Sequence, residues 1–167
     1  MSNVKQATSQ ELEKIQELMD KVKIAMLTTT EADGTLRARP MAIKTENFSG
    51  VLSFLTAVDT AKVDELKVKR QVNVTLSDPS SAIFASLSGE AVTTQNKTEI
   101  ERLWDDTDQL WFPEGKDSDR IGVLSIRVNQ AEYWDSNRLV SAFHMAKDYV
   151  KGEAYEGEGT EHQKLTI

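Results

Sequence analysis

"QVNVTLSDPSSAIFASLSGEAVTT", residues 71–94, decides the fold class. It holds two strand-like runs, 71–77 and 82–94, rich in Val, Thr, Ile and Phe and separated by the turn "DPSS". A connection this short makes the two strands antiparallel neighbours, because a parallel pair needs a crossover of about a dozen residues or more. The same reading extends outward. Upstream, "IAMLTTT" (24–30) is a strand and "EADG" is a tight turn ending in Gly34. "TLRARPMAIK" (35–44) is its partner and "GVLSFLT" (50–56) a third strand. Pro40 has no N–H to give to a ladder, so its strand lies at an edge or a bulge. Downstream, "IGVLSIRV" (121–128) and "AEYWD" (131–135) close the β part.

Helical spacing interrupts the strands three times. From Thr8 to Val22, Leu12, Ile15, Leu18, Met19 and Val22 form one apolar stripe, and Thr8 with Glu11 has capping-box spacing. "DTAKVDELKVKR" (59–70) puts Val63 and Leu66 inward, with Val68 a third candidate and Thr60 a cap. A third helix begins near Thr98, where Thr98 and Glu101 repeat the capping-box spacing. It runs through Ile100, Leu103 and Trp104, whose spacing places the indole in the core. The order describes a mainly β protein: an antiparallel barrel of about six strands with flanking helices over its openings. Residues 1–136 read as one domain with an N-terminal helix. Residues 137–167 read as a C-terminal extension, helical from Arg138 to about Lys151 and then flexible and acidic in "GEAYEGEGTEHQKLTI".

Composition excludes several functions. A net charge of −7 over 167 residues argues against general nucleic-acid binding, which needs a broad basic surface. The chain has no cysteine, so it has neither disulfides nor thiolate metal sites. It has no apolar run of about 20 residues and no signal-peptide layout at "MSNVKQATSQ", so a soluble cytoplasmic protein is expected. G-x-S-x-G, H-E-x-x-H, G-x-G-x-x-G and Walker loops are all missing. The two histidines, His144 and His162, lie in or near the tail. No catalytic side chain and no metal site is expected. Acidic pairs such as Asp105–Asp106 and Glu156/Glu158 read as solvated surface.

"RARPMAIK" (37–44) crowds two arginines and a lysine into one strand of this acidic chain. Shortly after, Thr56 ends a strand, and Thr60 and Lys62 open a helix. Free amides and the positive dipole end of a helix start attract anions, and hydroxyls, a lysine and a nearby arginine would complete a phosphate cradle. The plainer reading stays open: Thr60 caps the helix and Lys62 is surface. Strand geometry adds a constraint. Arg37 and Arg39 share a face, whereas Lys44 has the opposite parity, so Arg39 and Lys44 meet one ligand only if a bulge or a strand end resets the alternation.

"GTLRARPMAIK", "VLSFLTAVDTAKVDEL", "QVNVTLSDPSSAIFASLSGEAV" and "LWFPEGKDSDRIGVLSIRVNQAEYWD" follow one another as in a known family. Over about residues 8–136 the chain resembles the general stress protein branch of the pyridoxamine-phosphate-oxidase-like, FMN-binding split barrels. That resemblance implies a six-stranded antiparallel split β-barrel and an FMN cofactor. Arg39 and Lys44 resemble the basic pair that opens the flavin site. Leu55 and Thr56 resemble the segment passing the isoalloxazine ring. Thr60 and Lys62 resemble the hydroxyl and lysine that hold the phosphate, with Ala61 between them where the oxidases proper often carry arginine. Ser86 and Ser88 resemble the strand beside the ring, and Trp111 and Trp134 resemble aromatics that approach it, often from a second subunit. By the residues alone, Trp111 is either an interface anchor or a ligand platform, and Arg37 either assists the phosphate or is solvated.

The pyridoxamine-phosphate oxidases also carry an arginine–histidine–arginine signature after the "EYW"-like strand. Here Arg138 remains, Val140 replaces the histidine and no second arginine follows. The implied function is therefore an FMN-dependent oxidoreductase, stress-related and homodimeric, that does not make pyridoxal phosphate and whose small-molecule electron donor or acceptor is unknown. The alternative is a flavin-binding module that stores or senses flavin without turnover. A deazaflavin- or haem-binding relative ranks third, with His144 the sole nearby axial candidate.

Overall fold

The computed structural model describes residues 5–136 and 160–167. In chain order the elements are β1 (Lys5–Gln6), α1 (Ser9–Val22), β2 (Ile24–Thr30), β3 (Leu36–Ala42), β4 (Val51–Ala57), α2 (Ala61–Val68), β5 (Gln71–Asp78), β6 (Ile83–Thr94), α3 (Lys97–Leu103), a 3-10 turn (Asp106–Leu110), β7 (Ile121–Ser136) and β8 (Thr160–Thr166). The strands form one sheet in the order β1-β8-β7-β6-β5-β2-β3, and β4 pairs with the first half of β7. The six strands β2 to β7 are the expected barrel. It is split, because β3 and β4 are not joined by a ladder. Across that seam the Lys44 amide donates to the Ser53 carbonyl (2.9 Å) and the Ser53 amide to the Thr45 hydroxyl (2.8 Å). Pro40 lies on the edge strand β3, whose pairing with β2 runs without a bulge.

The alternation of each strand explains the layers. Leu27, Val74, Leu76 and Leu87 point inward and are fully buried, with Ile15, Leu18 and Met19 of α1 packed over them. Burying side chains of this size is worth roughly 1.5–3 kcal/mol each. A second, smaller core lies outside β4 and β7: Leu55, Ile121 and Val123 meet Ile100 and Leu103 of α3, with Trp104 and Phe112 against them. β4 is thus apolar on both faces, and this fixes it between the barrel interior and α3.

Four local expectations change. Residues 121–136 form a single strand because a register shift at Ser88/Gly89, opposite Gln130 and Val128, absorbs Asn129 as a bulge. A Cβ on Gly89 would stand 2.1 Å from the Arg127 carbonyl oxygen, so the bulge needs glycine. The third helix is capped two residues before Thr98: Asn96 is the N-cap and accepts from the Glu99 amide at 3.2 Å. Val68, the last residue of α2, points outward and is 82% exposed. The end of the tail is no loose segment, since β8 pairs antiparallel with β7 and parallel with β1, and Leu165 is completely buried. One inward leucine among polar residues is too weak an alternation to announce a strand. The helix expected from Arg138 to Lys151 lies outside the described residues.

Candidate functional site

The seam between β3 and β4 opens into a cavity of about 490 Å³. Pro40, Met41 and Ala42 of β3 form one wall, Leu55, Thr56 and Ala57 of β4 another, and Ile24, Trp111 and Phe112 the lip. Three charged side chains reach this mostly apolar space: Lys44, Lys62 and Asp108.

Lys62 comes from the first turn of α2. Thr60 is the N-cap of that helix, yet its hydroxyl makes no capping bond. It donates instead to the Ala57 carbonyl (2.8 Å) and accepts from Lys62 Nζ (3.2 Å). The expected cap is therefore present in position but not in chemistry, and the helix start keeps its amides uncapped by any side chain. Lys62 is half-buried and has no ion-pair partner among the described residues. Burial, reinforced by the Arg39 charge, pulls its pKa below the ordinary lysine value. An ammonium held in that condition at a helix N-terminus favours an anion beside it.

Arg39 and Lys44 do not converge, although the strand ends at Ala42, between them. Arg39 turns under α2, where it forms a two-pronged pair with Glu65 (3.0 and 3.2 Å) and donates to the Thr29 hydroxyl (2.7 Å). Burial pushes the Glu65 carboxyl up, but hydrogen bonds from Thr29 and Arg39 outweigh it and the net shift is downward. Arg37 stays exposed and pairs with Glu31 at 3.3 Å. Lys44 lies just beyond β3, only 8% exposed, with its ammonium 2.5 Å from Asp105 and 2.7 Å from Asp108. Burial lowers the Lys44 pKa, the two carboxylates raise it, and the carboxylates win.

Asp105 and Asp106 are exposed, as the surface reading had them, but Asp105 also pairs with the buried Lys44. Asp105 caps the 3-10 turn, accepting from the Thr107 amide, while the Asp108 side chain accepts from the Asp105 amide (2.8 Å). Lys44 and Thr107 hold the Asp105 carboxyl down at about 2. Asp108, absent from the expected site, is a buried charged residue at the cavity wall, 3% exposed. The D-x-x-D spacing of Asp105 and Asp108, a variant of the capping box, is the signal that could have found it.

Of the residues singled out in the sequence, Lys44, Leu55, Thr56, Lys62 and Trp111 line this cavity. Thr60 touches Lys62, and Arg39 supports α2 from beneath. Ser86, Ser88 and Trp134 are elsewhere, on the outer face of the sheet. Ser86 and Ser88 accept from the Asn73 side chain at 2.8 and 3.1 Å, and Trp134 pairs across the ladder with Phe84. β6 is two strands from β2 and β7 three, at about 4.8 Å per strand. The same outer face carries Ile24 and Met26 on β2 and Phe84 on β6, exposed at 49%, 41% and 38%. Arg138, Val140 and His144 lie outside the described residues. Among the described residues no cluster of His, Cys, Asp and Glu has the makings of a metal site, and no helix is long and apolar enough to cross a membrane.

Residues 10–156 match the family described as pyridoxamine 5'-phosphate oxidase like. The chain belongs to that family. Among its relatives, Protein bli-3 of Neurospora crassa is 25% identical over 141 residues, which is 78% of this chain and 68% of that protein. The crystal structure of the general stress FMN/FAD binding protein of Xanthomonas citri is 27% identical, with a TM-score of 0.68 over 77% of this chain and 90% of the other. A general stress protein 26 from Jannaschia sp. CCS1, at 18% identity, shares the fold over 96% of this chain and 100% of its own, with a TM-score of 0.74. The chain is thus mostly antiparallel β with flanking helices, as the order of its elements implied, and a split barrel, as the resemblance implied.

Proposed function

We propose that this protein binds FMN in the seam cavity and acts as a flavin-dependent oxidoreductase distinct from pyridoxamine-phosphate oxidase. Lys62 carries the reading: it is a half-buried ammonium with no ion-pair partner among the described residues, at a helix start left open by its own N-cap threonine. The residues fit the group. Lys62, Thr60 and the first amides of α2 would hold the phosphate, and Leu55, Thr56 and Ala57 with the apolar lip would take the ring. The cavity volume lies in the usual range of cofactor sites, roughly 300–1,000 Å³. When bound, flavin supplies the electron-transfer chemistry, and the protein supplies orientation and charge.

The Xanthomonas citri protein is described as FMN/FAD binding, which supports a flavin here. The exposed Ile24 at the cavity lip and Met26 further along β2, with Trp111 at 74% exposure and Phe84 two strands along the same face, favour a homodimer across that face. In it Ser86, Ser88 and Trp134 of one copy complete the site of the other. Apoprotein titrated with FMN should give a saturable, red-shifted flavin spectrum at one flavin per chain. Bleaching by NADH or NADPH and reoxidation with turnover mark an enzyme; binding without bleaching marks the storage or sensing module. A single-chain mass by light scattering with flavin fully bound would remove the shared site.

A further inference from the structure

We propose that the Lys44–Asp105–Asp108 cluster sets what may share the cavity with the flavin: an aromatic compound without an anionic group is admitted, and a phosphorylated or carboxylated one is rejected. The proposal rests on the flavin reading above, because that reading assigns Lys62 to the cofactor phosphate.

Among the described residues, the cations lining the cavity are Lys44 and Lys62. With Lys62 engaged, an anionic second ligand would depend on Lys44. That ammonium already faces two carboxylates, at 2.5 and 2.7 Å, so one positive and two negative charges leave the cluster formally at −1. The arrangement does not wait for a ligand. Asp105 and Asp108 are locked by the capping bonds of the 3-10 turn, and the turn is braced by Phe112 and Trp104, whose rings lie 6.2 Å apart. An incoming phosphate would have to draw Lys44 away and leave the Asp108 carboxylate, with its side chain 4% exposed, unpaired in an apolar wall. A buried charge stripped of its partner is strongly unfavourable. A neutral or cationic ring asks for no such rearrangement. It meets Pro40, Met41 and Ala42, the wall of β3 that the flavin reading leaves free, and a negative potential that suits a cation.

A matched pair of probes tests this: pyridoxamine and pyridoxamine 5'-phosphate, titrated calorimetrically into the full chain with and without FMN. In the FMN-loaded protein the unphosphorylated probe should bind at least about tenfold tighter, the scale of one lost charge-assisted bond. In the apoprotein the phosphorylated probe should regain affinity through Lys62 and compete with FMN. Asp108→Asn should free Lys44 and reduce or invert the tenfold preference of the loaded protein. Asp105→Asn, at a more exposed position, should narrow it and keeps the test open if Asp108→Asn does not fold. Tighter binding of the phosphorylated probe to the loaded wild type overturns the proposal. So does an unchanged ratio in both folded variants, or binding of neither probe at millimolar concentration. Failure of FMN itself to bind is a separate result and removes the flavin reading instead.

Discussion

Two helices of this protein begin with threonine at the N-cap, and they begin in opposite ways. At α1, Thr8 and Glu11 close the end on themselves: Thr8 accepts from the Glu11 amide (3.4 Å), and Glu11 reaches back to the Thr8 amide (2.7 Å). At α2, Thr60 has the same extended backbone, yet its hydroxyl turns to Ala57 and to Lys62. The fourth residue of each segment accounts for the difference. α1 has Glu at the third helical position, whereas α2 has Val63, which is buried, so no side chain returns to the cap. A helix end left open forgoes a local stabilisation of about 1 kcal/mol. α2 is held by tertiary contact instead, through Glu65 on Arg39 and Thr29. The closed end supports folding; the open end, beside a lysine with no ion-pair partner among the described residues, is where we propose that the phosphate sits.

The largest effect should come from breaking what replaces the cap. Arg39→Ala leaves the Glu65 carboxylate, 10% exposed, without its charged partner. The expected loss of stability is about 3 kcal/mol, the lower end for a broken buried pair because both side chains keep some contact with water. Urea denaturation measures it. A midpoint unchanged from wild type would show that α2 needs no such anchor.

Lys62→Ala attacks the open end directly. Charge-assisted hydrogen bonds are worth roughly 1.5–3 kcal/mol, so FMN should bind about 10- to 100-fold more weakly. Stability of the apoprotein should hold or rise, since the half-buried ammonium has no ion-pair partner among the described residues. Equal FMN affinity in the variant and the wild type would remove the phosphate from α2.

The two threonines then provide a crossed pair of about 1 kcal/mol each. Thr8→Ala should lower stability by that amount and leave FMN affinity alone. Thr60→Ala should weaken FMN several-fold, because Lys62 loses the hydroxyl that positions it. If Thr8→Ala disturbed flavin binding as much as Thr60→Ala, the contrast between closed and open ends would fail.

What could be read in the sequence divides along the same line of local against distant. Thr8 with Glu11, the 71–94 hairpin and the threonine–lysine opening of α2 are local patterns, and each stands where the spacing put it. The partners of the cations were not legible. Arg39 meets Glu65, 26 residues on, and Lys44 meets Asp105 and Asp108, 61 and 64 residues on. Those pairs exist only because the barrel folds the edge strand beneath one helix and beside one turn. Parity left the two cations open, to meet only at a bulge or a strand end; β3 ends at Ala42, before Lys44, and they part all the same. β8 stayed hidden because Leu165 is its only fully inward apolar residue with a described side chain, and pairing with β7 supplies the rest.

The smallest effect is the most specific to Lys62, and it appears only in alkali. FMN carries its phosphate as a dianion well above the second phosphate pKa of about 6, so above neutrality the phosphate no longer titrates and, short of the alkaline ionisation of the flavin ring N3–H, the titrating partner is the lysine. In the free protein, burial and the Arg39 charge hold the Lys62 pKa below the ordinary 10.5. FMN binds the protonated form, so its affinity should be flat at lower pH and begin to fall once the pH passes that lowered value, before 10.5. The sign for stability is opposite. The folded apoprotein binds this proton less well than the unfolded chain does, so the Lys62 contribution to stability improves as pH rises from the lowered value towards 10.5. Lys44 behaves the other way: its pKa is raised, so its contribution is complete below 10.5 and is lost as the pH climbs through the higher folded value. Lys62→Arg separates the two lysines, because a guanidinium stays charged throughout this range. That variant should keep FMN affinity flat where the wild type declines by a few-fold. If the wild type and Lys62→Arg declined together, the titrating group would be something other than Lys62, and the open end of α2 would not be where the phosphate sits.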